Sequence, residues 1–390
     1  MAANARQHRE IARELKRARV KHDKLLNKVA KARGKFRARL SKLQGLEQQM
    51  IALQQETQPS IESSGNGSST SPLKPIRFIL NPSSGRSPGD PNALQDLFGV
   101  LRARGIEPRL GIKTSGKAAR EMAREAADNG EEIVIVGGGD GTIEDVASQL
   151  VHTQTALAIL PLGTMNNLAR SLGIPLELDA AADLIAGGIT RRIDIGHVRA
   201  QEKKQKEFFM ETAGVGLTAI AFPAGQAAKK GRLDGMPDYL RGLADSRPQP
   251  TEISLDGGPA FLVNTQLITI SNAPLIGINF MIAPEAAMDD GLFDIAVYEE
   301  MSKRDILGYF VAITNGRPTD NPKIKRYRAK QIQVHAPHGE PVHADKDEIK
   351  KAREWLIEVI PQALLVIAGK QAALEVPVPS APAAAEAGRA

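Results

Sequence analysis

The chain has 390 residues, 42% of them apolar and 25% charged, which is enough for two ordinary domains and typical of a soluble globular protein. It contains no cysteine, which excludes disulfides and thiolate metal sites, and no apolar run approaches the ~20 residues of a membrane-spanning helix. The net charge of +6 is uneven: residues 1–57 hold 15 Lys and Arg against 5 Asp and Glu, so the other 333 residues sum to about −4. Basicity confined to one segment gives no reason to expect nucleic acid as a partner. The first residues run into charge rather than an apolar core, so no secretory signal is read and a cytoplasmic location is expected.

In chain order, the first element is a basic helix over 1–57. Ile11, Leu15, Ala18, His22, Leu25, Val29, Ala32, Phe36, Arg39, Leu43, Leu46, Met50 and Leu53 follow alternating steps of four and three, and eleven of these thirteen are apolar. This predicts a coiled-coil seam that either dimerises or, bending at Gly34 or Gly45, folds back as a hairpin. Its charge would also draw it to an anionic membrane surface. Residues 58–74 are a Ser/Gly/Pro linker, and the Ala-rich segment 371–390 reads as a disordered tail.

Between them lies the folded body. Strands are predicted at Ile76–Leu80, Arg109–Ile112, Ile133–Val136 and Ala156–Leu160. Helices are predicted over Asn92–Arg104 and over Lys117–Asp128, where Asn129-Gly130 would stop the second. Short strands separated by helical patterns mean an α/β domain with a parallel sheet flanked by helices, over 75–188. From 189 to 351 the texture becomes that of a mainly antiparallel β-sandwich. It has strand runs at 193–198, 261–263, 266–270, 293–297 and 331–335, hairpin cues at Asp256-Gly257 and Asp290-Gly291, and one helical insertion near 235–244. The last runs, Trp355–Ile360 and Leu364–Ala368, would return to either domain, and 352–370 is assigned to the first.

Three strand ends of the α/β domain carry polar, glycine-rich sequence: Asn81-Pro-Ser-Ser-Gly-Arg86, Gly137-Gly-Gly-Asp-Gly-Thr142 and Pro161-Leu-Gly-Thr-Met-Asn-Asn-Leu-Ala-Arg170. Glycine lets backbone N–H groups approach a ligand, and a following helix N-terminus favours anions. Ligands of open α/β sheets bind beyond the C-terminal strand ends. Three such loops on one edge suggest a polyphosphate.

These motifs, with Ala213-Gly-Val-Gly216, Pro284-Glu-Ala and Asp289-Asp-Gly-Leu-Phe-Asp294, resemble the diacylglycerol-kinase catalytic family over about 76–368. The resemblance implies ATP and Mg²⁺ as cofactors and a lipid hydroxyl as acceptor, the lipid entering between the domains from the membrane surface. It implies that Asp140 positions nucleotide and metal, with Gly138, Gly139, Gly141 and Thr142 around it. Asn81, Ser83, Gly85, Thr114, Gly163, Thr164 and Asn166 would line the rest of the nucleotide cleft. Asp290 would take part in a structural Mg²⁺ site.

Two positions depart from the family pattern. The residue after Asn166 is usually acidic, and here it is the neutral Asn167. The usual Asp-Gly-Glu, whose glutamate resembles a general base, is replaced by Asp345-Lys346-Asp347-Glu348. Overlay puts Asp345 on the aspartate and Asp347 on the base, one methylene shorter. Glu348 is the next candidate, but a strand period of two points it to the opposite face. Lys346 would contact phosphate or stand in solvent. Two other functions share these features: an NAD kinase-like enzyme, and a catalytically weak nucleotide-binding membrane adaptor.

Overall fold

The computed structural model describes residues 76–84, 91–201, 206–217, 247–276, 280–314 and 321–369. The predicted basic helix, the linker, Gly85, the 235–244 insertion and the tail lie outside them. No helix among the described residues is long and apolar enough to cross a membrane.

The first half alternates strand and helix: β1 (Ile76–Leu80), α1 (Pro91–Arg102), β2 (Arg109–Ile112), α2 (Gly116–Asp128), β3 (Ile133–Gly138), α3 (Asp140–Leu150), β4 (Ala156–Pro161), α4 (Asn167–Ser171) and α5 (Leu178–Gly187). β2, β1, β3 and β4 pair side by side in parallel. β3 and β4 are apolar without alternation because both faces are covered, and Val134, Ile135, Val136, Leu157 and Ile159 are at most 1% exposed. Ser115 caps α2 by accepting the amide of Ala118 at 3.1 Å, and Gly130, at φ 68°, lets the chain leave after it.

The second half comprises β5 (Thr190–Ala200), β6 (Lys206–Phe209), β7 (Thr212–Gly216), β8 (Gln249–Leu255), β9 (Phe261–Ser271), β10 (Leu275–Ile276), β11 (Phe280–Met281), β12 (Phe293–Glu299), α6 (Lys303–Thr314), β13 (Ile324–Ala329), β14 (Gln331–Ala344) and β15 (Asp347–Ile367). Its pairings are antiparallel, except that β15 also meets β4 in parallel. β9 and β14 are long enough to pair with β8 at one end and β7 at the other, so the strands curl round one core. Trp355, Phe209, Phe293, Val334 and Ile268 fill it.

Several expectations change. The runs 355–360 and 364–368 are one strand, β15, interrupted by a bulge at which Gln362 takes φ 50°. It pairs with β14 at its start, with β5 from Trp355 onward, and with β4 at Val366–Leu157, so one sheet of 13 strands runs through both halves. Asp256-Gly257 forms the turn between β8 and β9, both residues at positive φ. Asp290-Gly291 is a turn but not a hairpin: it leads into β12, which pairs with β9 and β13. Helix α6 was not anticipated, because its Ile, Tyr, Phe and Val residues resemble a strand run.

Candidate active site

The loops after β1, β3 and β4 meet through glycine backbones. A Cβ on Gly163 would stand 2.4 Å from the Cα of Gly139, and one on Gly138 would stand 2.8 Å from the Thr142 Cβ. Neither position has room for a side chain, which explains the glycines at both. Asn81 joins the first loop to the second: its Nδ2 donates to Thr142 Oγ1 at 3.0 Å and its amide to the Gly137 carbonyl at 2.8 Å. Its Oδ1 accepts the Ser83 amide at 3.1 Å, and the Ser83 side chain is exposed. Asn166 sits at φ 51° and uses its side chain on the loop itself, accepting from the Gly163 amide at 2.8 Å and donating to the Gly163 carbonyl at 3.0 Å. It therefore shapes the loop from inside, whereas Thr164 and Thr114 are exposed on the surface.

Asp140 is the first residue of α3 and faces the N-terminus of α4, with its Oδ1 3.5 Å from the Leu168 amide. Burial raises its pKa, opposed by the backbone amides of 166–168. One turn on, Glu144 lies on the same face and is held well above the ordinary carboxylate range by burial, with the Asp345 charge adding to it.

A third carboxylate, Asp145, gathers cations from three directions: Lys113 at 2.8 Å, Arg120 at 2.6 Å and Lys346 at 2.9 Å. Burial alone would raise its pKa, but the lysines outweigh this and lower it. Lys113 also donates to Thr142 Oγ1 at 3.1 Å. None of Lys113, Asp145, Glu144 or Glu211 was singled out in the sequence. Only Glu144 had a local signal, four residues after Asp140 on one helix face.

From the other half, the β14–β15 turn reaches over this cluster. Asp345, at φ 46°, accepts the amides of Met210 at 2.6 Å and of Glu211 and Thr212 at 3.0 Å. Burial raises its pKa to about 6 despite those three amides. Its carboxylate thus fastens the turn to the β6–β7 connection. Glu211 is buried, its Oε2 3.4 Å from the Nδ2 of Asn167. Burial, then the charges of Asp345, Asp140 and Glu144, hold it well above the usual range. Asn167 Oδ1 and Thr212 Oγ1 are buried without hydrogen-bond partners.

Asp347 and Glu348 are both exposed and both border a cavity of about 480 Å³ along α3. Glu348, which a strand period of two would turn to the opposite face from Asp347, borders the same cavity, together with Ala344 and Lys346. Phe208, Met210 and Ile195 give it apolar wall. Asp290 is elsewhere: its oxygens are engaged by Arg328 and, at 3.0 Å, by the Leu292 amide. Among the described residues, no group of three or more His, Cys, Asp or Glu is arranged to hold a metal ion.

Both halves of the chain match known families. Residues 75–198 match the model of the diacylglycerol kinase catalytic domain, and residues 214–368 match that of the YegS C-terminal NAD kinase beta sandwich-like domain. A diacylglycerol kinase of Bacillus subtilis is 31% identical over 273 residues, covering 67% of this chain and 86% of that protein. A probable lipid kinase YegS-like protein of Citrobacter koseri is 31% identical over 288 residues, covering 70% and 91%. The crystal structure of a putative diacylglycerol kinase from Bacillus anthracis superposes with a TM-score of 0.61 at 24% identity, over 76% of this chain and 98% of that one.

Proposed function

Because this chain belongs to the diacylglycerol kinase catalytic family, we propose that it is an ATP-dependent lipid kinase that phosphorylates a hydroxyl of diacylglycerol or a related lipid. The observation that carries the reading is the juxtaposition of the three glycine-rich strand ends with the acidic β14–β15 turn, which comes from the other half of the molecule. Phosphoryl transfer is mostly positioning and charge neutralisation, so loop backbone on one side and a proton acceptor on the other are the parts it needs.

In this reading the ATP phosphates lie on the loop backbone of 138–141, with Gly163 packed against it and Asn81 and Thr142 bracing it from behind. The acceptor lipid brings its hydroxyl to the cavity beside Asp347. Its oxygen attacks the γ-phosphorus, the bond to the β-phosphate oxygen breaks to release ADP, and the hydroxyl proton passes to the Asp347 carboxylate. A base must come within about 3 Å of that hydroxyl; Asp347 is the residue that the family overlay puts at the base, and Glu348 on the same cavity is the second candidate. Asp345 is spent on three backbone amides and holds the turn in place instead.

A Mg²⁺ carried in on the phosphates fits the donors here. Asp140 offers one carboxylate and Asn167 a buried oxygen without a partner. That set is too small for an all-protein cage and suited to an ion that already holds phosphate oxygens and water. When bound, it neutralises charge on the phosphates. The basic segment 1–57 enters on charge alone, drawing the protein to an anionic membrane surface at about 1 kcal/mol per nearby Lys or Arg.

The test is transfer of the labelled γ-phosphate of ATP, with Mg²⁺, to a total lipid extract, the product being identified by mass spectrometry. Transfer is expected from the wild type and not from Asp140→Ala. No transfer across the extract, with NADP formed from NAD in a parallel arm, would instead favour an NAD kinase-like activity. ATP binding with no product in either arm would favour an adaptor.

A further inference from the structure

Lys346 is held by protein acceptors, with its side chain 29% exposed. Its Nζ donates to the Gly141 carbonyl at 2.9 Å and to Asp145 Oδ1 at 2.9 Å, and lies 3.3 Å from Glu144 Oε2. Two of the three ammonium donors are thus hydrogen-bonded, and Glu144 adds an ion pair. All three partners belong to the first two turns of α3, about 200 residues away in sequence, with separations of 205 and 201 for the two hydrogen bonds. The rest of the turn is fastened to its own side, through Asp345 and the amides of 210–212.

The surroundings make this link matter. Glu144 and Asp145 on α3 face Asp345 and Asp347 on the turn, and the Asp345 and Asp347 charges both act to raise the Glu144 pKa. Without a cation between them, the two acidic surfaces would repel each other across the cleft. Asp145 is also held by Lys113 and Arg120, so the anchor is part of a braced network on the nucleotide side. The lysine stem passes alongside Gly141, where a Cβ would make ordinary contact with Lys346 Cδ at 3.4 Å. Lys346 is not among the positive-φ residues of the turn, so its backbone does not require glycine.

We propose that Lys346 is a positioning residue, an ammonium tether that holds the β14–β15 turn against the first turns of α3 and so keeps the carboxylates of the acceptor cavity in register with the glycine loop. The proposal rests on the kinase reading for its catalytic consequence, but the tether itself is a physical contact that can be measured without turnover.

The experiment compares wild type, Lys346→Met, Lys346→Arg, Asp145→Asn and the Lys346→Met/Asp145→Asn double variant as full-length chains. Two readouts are taken: amide hydrogen exchange over 141–145 and 344–348, and kcat and KM for ATP on a lipid the wild type phosphorylates. Lys346→Met is expected to speed exchange in both segments and to lower kcat by on the order of 10- to 100-fold, with KM for ATP within about threefold. Lys346→Arg should restore most of both. The double variant should lose less than the product of the two single losses, because the Lys346–Asp145 link is common to both substitutions. Wild-type exchange in Lys346→Met, or a double variant whose losses multiply, would overturn the tether. If the wild type transfers no phosphate, the kinase reading fails while the exchange comparison still decides the tether.

Discussion

Replacing Gly163 by alanine tests whether the loop after β4 and the glycine loop form one surface. The added methyl would stand 2.4 Å from the Gly139 Cα and 2.6 Å from Asn166 Oδ1. The first neighbour is backbone and cannot swing aside, and the second is held by the Gly163 amide itself. Overpacking of this kind typically costs about 1–3 kcal/mol. If the strain is relieved by the loops moving apart, the same energy appears as roughly 5- to 150-fold weaker nucleotide binding. Isothermal titration with ATP and Mg²⁺, paired with a denaturant melt, separates lost binding from lost fold. Gly99→Ala is the control: it lies in α1 with nothing within 4 Å of the new methyl, and should gain up to about 1 kcal/mol of helix stability with unchanged ATP affinity. A Gly163→Ala protein that stays folded and binds ATP within twofold of wild type would refute the reasoning, because the phosphates could not then depend on the contact between the two loops.

Two further outcomes follow from the buried acids. The Asp345 carboxyl is raised from 3.8 to about 6, so the native state holds its proton where the unfolded chain has lost it, and the stability this gives is full below about 4 and lost as pH rises through about 6. The unfolding free-energy difference between wild type and Asp345→Asn, measured by urea titration, should therefore shrink or turn against the wild type across that window; a difference that grew with pH would contradict it. Asn167→Asp replaces a donor to Glu211 with a like charge at the site of a 3.4 Å contact. It should cost about 1–3 kcal/mol near neutral pH without divalent ion, and the melt should recover in Mg²⁺ with ATP; unchanged stability in chelator would argue against a repulsive acidic cluster.

How far the site was legible depended on whether its parts were neighbours in sequence. β1 and β2 were predicted with the observed bounds, and β3 and β4 only a residue or two short; in β3 and β4 an unbroken apolar run ending in glycine or proline leaves little choice. The glycine loop was legible because its close packing is between backbones, which only glycine permits. β8 was missed because its exposed and buried residues alternate with polar side chains, including Thr251 and Glu252. Helix α6 did have a signal that went unused: Ser302 and Asp305 cap its start reciprocally, the Ser302 amide reaching the Asp305 carboxylate at 3.0 Å and the Asp305 amide the Ser302 hydroxyl at 3.3 Å. The polar centre was the least legible part. Lys113, Asp145, Glu211 and Lys346 come from four separate segments, and no spacing rule joins a lysine in a turn to an aspartate about 200 residues earlier.

The shared strand β15 also bears on how the protein is made. It is the last regular element among the described residues, yet it lies beside β5 for most of that strand's length and meets β4 at Val366–Leu157, 209 positions downstream of its partner. Until it leaves the ribosome, β4 and β5 present open edges, and the second core lacks Trp355. Neither half can therefore finish folding during synthesis in the usual N-to-C order. The nascent protein must wait, unsealed, for one strand whose first part closes the second core and whose last part closes the first.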